Sequence, residues 1–136
     1  KILLIIGSQI KNNKKIFNLA KNKNIIFLKG KKNIYKYFCQ ANICLTAGGI
    51  SMFESVSLKK PTLVYQTHDH QKYAINYLAK KKLIHLIGKK NKIYKNNIKK
   101  LLNYYSKTKK NKINNSIMDN KNYYRIMNIL KKEINK

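Results

Sequence analysis

Five short apolar runs recur along the chain, at residues 2–6, 24–30, 43–47, 61–66 and 83–88. Between and after them lie stretches whose apolar residues fall at helical spacing: 11–22, 34–41, 50–60, 70–81, 93–107 and 122–134. A run such as ILLII is apolar at every position, so a strand made from it must be covered on both faces. Strands of that kind alternating with helices require right-handed crossovers and a parallel sheet. The expected fold class is therefore α/β: a Rossmann-like parallel sheet with helices on both faces. The 136 residues suffice for one domain with a real core. The helix over 50–60 is expected to stop at Pro61, because proline disfavours a helical residue before it. The lysine- and asparagine-rich stretch 107–115 is the expected mobile connection. No internal repeat is present.

The formal charge is +27, from 31 basic and 4 acidic residues. Alone, that would point to a polyanionic partner. Yet Arg125 is the only arginine, and lysine, asparagine and isoleucine make up about half the chain. Codons for all three can be written almost entirely in A and T, so an AT-rich genome produces this composition without selection for a polyanion. Arginine is the residue suited to forked phosphate and guanine contacts, and it is nearly absent. Nucleic acid is thus not the expected partner, while peripheral contact with an anionic membrane surface stays open as a use of the charge.

Cys39 and Cys44 have neither zinc-knuckle nor redox spacing. Cys44 lies inside an apolar run and reads as a small core residue. Two free thiols suit a reducing cytoplasm, the expected location. No run approaches a membrane span, and KILLIIG is too short for a signal peptide. The chain starts at Lys1 directly inside a strand-like run, as expected of a piece of a longer protein.

The stretch LTAGGISMFES, residues 45–55, carries the main chemical signal. In an open parallel sheet, ligands bind beyond the carboxyl ends of the strands. Gly48 and Gly49 occupy such a turn, where glycine permits a sharp bend and close approach of a ligand. The free N–H groups and dipole of the helix that follows favour a phosphate. Ser51 can add a hydroxyl. Glu54 sits one turn further on, where a carboxylate can accept two hydrogen bonds from the adjacent hydroxyls of a ribose. Together these describe a nucleoside diphosphate. A plain tight turn followed by a helix-stabilising glutamate is the alternative. The next loop supplies His68, Asp69, His70 and Gln71. His68 and His70 lack a third ligand, so no metal is expected, and no other cofactor. Asp69 is expected to cap the next helix, and His85 to be a satisfied strand histidine. No serine–histidine–acid arrangement, carboxylate pair or P-loop is present.

Residues 41–88 resemble the carboxyl-terminal half of GT-B nucleotide-sugar enzymes, the family-28 glycosyltransferase group. The resemblance lies in a strand, a small-residue loop, a helix carrying Glu54, the PTLV of 61–64, the His-Gln of 70–71, and Asn76-x-Leu78. Within that group it is nearest to the UDP-sugar hydrolases of the pseudaminic-acid pathway and the related spore-coat polysaccharide proteins. IIGSQ (5–9) looks like the first glycine loop of that half. DNKNYYRI (119–126) looks like its terminal D-G-K-G-x-x-R-I, with Asn120 and Asn122 in place of the glycines.

The resemblance implies that residues 1–136 are a nucleotide-sugar-binding domain whose amino-terminal GT-B partner domain lies outside this sequence. Gly48, Gly49 and Ser51 would hold the diphosphate of a UDP-sugar and Glu54 its ribose. His70, Gln71, Gly7 and Ser8 would face the sugar or the phosphates. The reaction implied is hydrolysis of the sugar–UDP bond in surface-polysaccharide or nonulosonic-acid biosynthesis, with the base in the partner domain and His70 the candidate within this chain. The alternatives are a UDP-sugar glycosyltransferase with a lipid or protein acceptor, and a non-catalytic nucleotide-sugar or nucleic-acid binding module. The chain is also expected to leave one face bare for the missing domain.

Overall fold

The computed structural model describes residues 1–7, 14, 18, 21, 24–30, 33–107, 121, 124, 127, 128 and 131. It divides into two compact units, Lys1–Lys36 and Tyr37–Lys136. In the first, β1 (Ile2–Ile6) and β2 (Ile25–Lys29) pair in parallel, from Ile2 opposite Ile25 to Ile6 opposite Lys29. Most of the helix expected over 11–22, of the connection expected over 107–115 and of the helix expected over 122–134 lies outside the described residues, and Lys107 ends the last described helix.

From residue 35 onward the order is α1 (Tyr35–Gln40), β3 (Cys44–Ala47), α2 (Ile50–Ser57), β4 (Thr62–Gln66), a 3-10 turn (Asp69–Gln71), α3 (Lys72–Lys80), β5 (His85–Lys89), β6 (Lys92–Ile93) and α4 (Lys95–Lys107). The four strands form one sheet in the order β3-β4-β5-β6. β3, β4 and β5 are parallel, and β6 returns antiparallel along β5. The molecule is α/β, with a parallel pair and a mixed sheet, compatible with a Rossmann-like fold. The antiparallel β6 departs from the all-parallel expectation. Two residues are too few to show a period, and its turn holds Lys90 at φ 49° where a glycine or Asn-Gly would have announced a hairpin.

The core forms where α2 and α3 meet the sheet. Met52 and Val56 on α2, Val64 on β4, and Ile75 and Leu78 on α3 are essentially solvent-free, joined by Leu83 and Ile84. Full burial of each such side chain stabilises the fold by about 1.5–3 kcal/mol. Leu86, opposite Val64, packs on the same cluster. The alternate residues Leu63 and His85 turn to the other face, where Tyr105 of α4 reaches His85. α4 thus meets this sheet at His85. Cys44 is buried as expected; burial pushes its thiol up to about 11, so it stays neutral. A buried polar pair ties α2 to β4. Ser55 Oγ donates to the Met52 carbonyl at 2.9 Å. The Thr62 hydroxyl shares its single proton between Ser55 Oγ at 2.9 Å and the Lys60 carbonyl at 2.8 Å.

α2 stops three residues before the expected Pro61, and α3 stops by the same device. At the end of α2, the Lys59 N–H donates to the Val56 carbonyl and the Lys60 N–H to Ser55. At the end of α3, the Lys82 N–H donates to Ala79 and the Leu83 N–H to Leu78. Each is a complete Schellman motif, which requires its second-last residue in the left-handed region, normally a glycine. Here the residues are Lys59 at φ 56° and Lys82 at φ 58°. A Cβ in that conformation costs roughly 1–2 kcal/mol. Lysine at a glycine position also fits a composition that drifted as a whole. Lys59→Gly and Lys82→Gly are each expected to stabilise the protein by about 0.5–1 kcal/mol, after glycine's larger unfolded-state entropy is counted. The two helices are separate, so the gains should add in a denaturant titration. Unchanged midpoints would show that the caps are not strained.

Candidate functional site

β3 and β4 end side by side, with Ala47 opposite Tyr65. The loops that follow them, 48–49 and 67–71, therefore leave the same edge of the sheet. They touch. A Cβ built on Gly48 would lie 2.5 Å from Ile75 Cδ1, 3.0 Å from Gln71 Oε1 and 3.1 Å from Gln71 Cβ. Gly48 is buried, and it is a glycine because the start of α3 fills the place of a side chain. Gly49 differs. Nothing lies within 4 Å of a Cβ placed there, and its φ of −102° is open to any residue. A Cβ at Gly49 would therefore meet no neighbour. What a side chain there would occupy is open space at the head of α2.

α2 begins uncapped. Gly49 is its N-cap, no side chain bonds its first N–H groups, and its first turn holds no acid. The helical segment beside it is closed by its own residues. His68 caps the 3-10 turn, and His68 and Gln71 bond reciprocally, side chain to backbone, in a capping box. Gln71 Oε1 also accepts from Thr67 N at 3.0 Å, His68 N at 3.2 Å and Thr67 Oγ1 at 3.1 Å. Gln66 Nε2 adds a bond to the His68 carbonyl at 3.2 Å. α2 starts without a side-chain cap, its Met52 N–H bonding back to the Gly49 carbonyl at 3.0 Å, whereas the 3-10 turn beside it is closed by Gln71.

Along α2, Met52, Ser55 and Val56 face the core, and Ile50, Phe53 and Glu54 face out. Ile50 is 78% and Phe53 40% exposed, so the outward side joins one carboxylate to two apolar groups. Among the described residues Glu54 joins no ion pair, in a chain with 31 basic residues. Ser55 and Ser57 both spend their hydroxyls on backbone carbonyls of this helix. Ser51, one residue into the helix and half-buried, has no such bond among the described residues.

Other expected site residues fall differently. Gln71, expected to face sugar or phosphate, is buried with its oxygen turned onto its own loop. The spacing of Gln71, Ile75 and Leu78 explains this, since all three lie on one inward stripe. Asp69 does not cap the helix; Gln71 is the N-cap of α3 and His68 that of the 3-10 turn, and Asp69 pairs with Lys90 at 3.2 Å, both well exposed. Such a pair contributes at most about 1 kcal/mol. His70 is exposed and stacks on His68 with ring centroids 5.4 Å apart. No hydrogen bond orients its ring among the described residues, unlike a base positioned for catalysis. His68 Nδ1 lies 2.9 Å from Thr67 Oγ1. No group of three metal-ligating side chains occurs among the described residues. Gly7 follows β1 in the other unit, and Ser8 lies outside the described residues. Sequence reasoning passed over Thr46, two residues before Gly48. Its hydroxyl is shielded from solvent and unpartnered among the described residues. The signal was a hydroxyl residue inside the apolar run ICLTA.

No protein-family model matches the chain, and no curated protein or solved structure matches it at a significant level. No described helix is long and apolar enough to cross a membrane. Functional weight therefore rests on the residues at this sheet edge.

The two glycines should separate in mutation. Gly48→Ala forces a methyl against buried Ile75 and Gln71, and should destabilise by about 1–3 kcal/mol. Gly49→Ala meets nothing and should change stability by less than about 0.5 kcal/mol. Thermal melts of both variants check this, and equal losses would remove the distinction.

Proposed function

We propose that this chain is a nucleotide-sugar-binding domain, the carboxyl-terminal half of a GT-B enzyme acting on a UDP-amino-sugar. The observation that carries the proposal is the head of α2: an N-terminus at Gly49 without a side-chain cap, with the carboxylate of Glu54, which joins no ion pair among the described residues, one turn along. N–H donors without a side-chain cap at the positive end of a helix suit the diphosphate. The Ser51 hydroxyl supplies a further donor. Glu54 suits paired ribose hydroxyls, which a carboxylate can bridge with charge-assisted bonds.

Hydrolysis at the anomeric carbon is the reaction proposed, with transfer to a lipid or protein acceptor as its variant. The head of α2 would stabilise the departing UDP as negative charge grows on it. His70 has no orienting partner among the described residues, so the base that activates water belongs to the partner domain. Exposed Ile50 and Phe53 beside Glu54 give that domain an apolar edge to close on. Closure between two domains then brings base and substrate together.

Calorimetric titration with UDP tests the proposal. Glu54→Gln keeps the shape but loses the charge-assisted bond, and affinity should fall by about 1.5–3 kcal/mol if the bond is desolvated. Stability should barely change, since Glu54 is exposed. Equal affinities for wild type and variant, or salt-steep binding to mixed-sequence DNA in place of saturable UDP binding, would overturn it.

A further inference from the structure

α4 covers the sheet incompletely. Ile98, Leu101 and Tyr105 share its inward stripe, yet each is only half-buried. Tyr105 makes the firm contact, its hydroxyl 2.7 Å from His85 Nε2. β6 meets β5 only at Gly88 and Lys89, so no described strand lies beside His85 and Leu86 on that edge. The gap left there is a cleft of about 410 Å³. That is within the size range of small-ligand sites. The cleft lies at the amino end of β5. The head of α2 follows the carboxyl end of β3, two strands away, so the two places are separate.

The walls of the cleft divide by chemistry. Ile84, Leu86 and Leu101 give it an apolar side, and Ile84 is almost solvent-free. Asn97 and Lys100, three residues apart on one flank of α4, bring a carboxamide and an ammonium. Neither described acid reaches it: Glu54 belongs to α2, and Asp69 pairs with Lys90. A purely apolar ligand would leave Asn97 and Lys100 unused. A bare inorganic anion would gain nothing from the apolar side. The combination suits a molecule with a hydrocarbon body and one anionic end.

We propose that this cleft binds a small amphiphilic carboxylate, its hydrocarbon along Ile84, Leu86 and Leu101 and its carboxylate at Lys100 and Asn97. A carboxylate accepts from an ammonium and from an amide N–H at once, with a charge-assisted bond to the first. The hydrocarbon leaves water for three aliphatic side chains. Lys100 and Leu101 belong to α4, and Leu86 to β5, so the ligand bridges helix and sheet where their own packing is thin.

Octanoate is the probe, titrated into the whole chain at physiological salt and followed by NMR. Saturable shifts should centre on the methyls of Ile84, Leu86 and Leu101. Octylammonium has the same hydrocarbon and the opposite charge, and should bind about tenfold more weakly or less. Lys100→Met should weaken octanoate about three- to tenfold. Lys99→Met, at the neighbouring exposed lysine outside the cleft, should leave it unchanged, which separates the site from the general positive charge of the chain. Both lysines are exposed, so neither change should unfold the protein. Equal binding of the two amphiphiles, equal losses in Lys99→Met and Lys100→Met, or shifts that spread over the surface without saturating would overturn the proposal.

Discussion

Gly48 has no side chain because Gln71 and Ile75 occupy the place where one would go. That single close approach locks the loop after β3 against the start of α3. It holds both loops at one edge of the sheet, and it leaves the head of α2 facing open space. Gln71 has a part on each side of the contact. Its Cβ and oxygen abut Gly48, while the same oxygen gathers the N–H groups of Thr67 and His68. One buried amide therefore shapes the second loop and sets its distance from the first. Replacing a glycine in a flexible loop is usually harmless, but here the neighbour is a solvent-free core residue.

Much of the architecture could be read before the coordinates. Runs such as ICLTA and PTLVYQ are mainly apolar, and each became a parallel strand in the expected order, buried along most of β4 but only at Cys44 in β3. The burial stripe of α2 followed from Met52 and Val56, which left Glu54 outward. Chain reversals were harder to see. Lys59, Lys82 and Lys90 occupy left-handed positions where glycine is the usual signal, so two helix ends and one hairpin carried no sequence mark. Pro61 drew attention as a stop signal, yet the backbone had already turned at Lys59. The burial of Gln71 was hard to see for another reason. A polar residue in a loop suggests ligand contact, and only its spacing from Ile75 and Leu78 places it inward.

The charge has a similar explanation. Lysines stand at helix caps, in the hairpin and along α4, including positions where lysine is conformationally unfavourable. A surface selected for a polyanion would not need lysine at a strained cap. Against that background the scarce acids gain meaning. Asp69 is spent on an exposed pair with Lys90, whereas Glu54, one turn from a helix start without a side-chain cap, joins no ion pair among the described residues. Two apolar neighbours, Ile50 and Phe53, share its side of the helix.

Whether anions select that helix start over the abundant lysines is the central question, and amide chemical shifts answer it most directly. UDP added to isotopically labelled protein at physiological salt should move the Gly49, Ile50 and Ser51 amides first and furthest, because their N–H groups would bond the diphosphate. Shifts spread over Lys89–Lys100 and α4, with those three amides unmoved, would mean that phosphate is held by loose lysine charge, and would contradict a nucleotide site at α2.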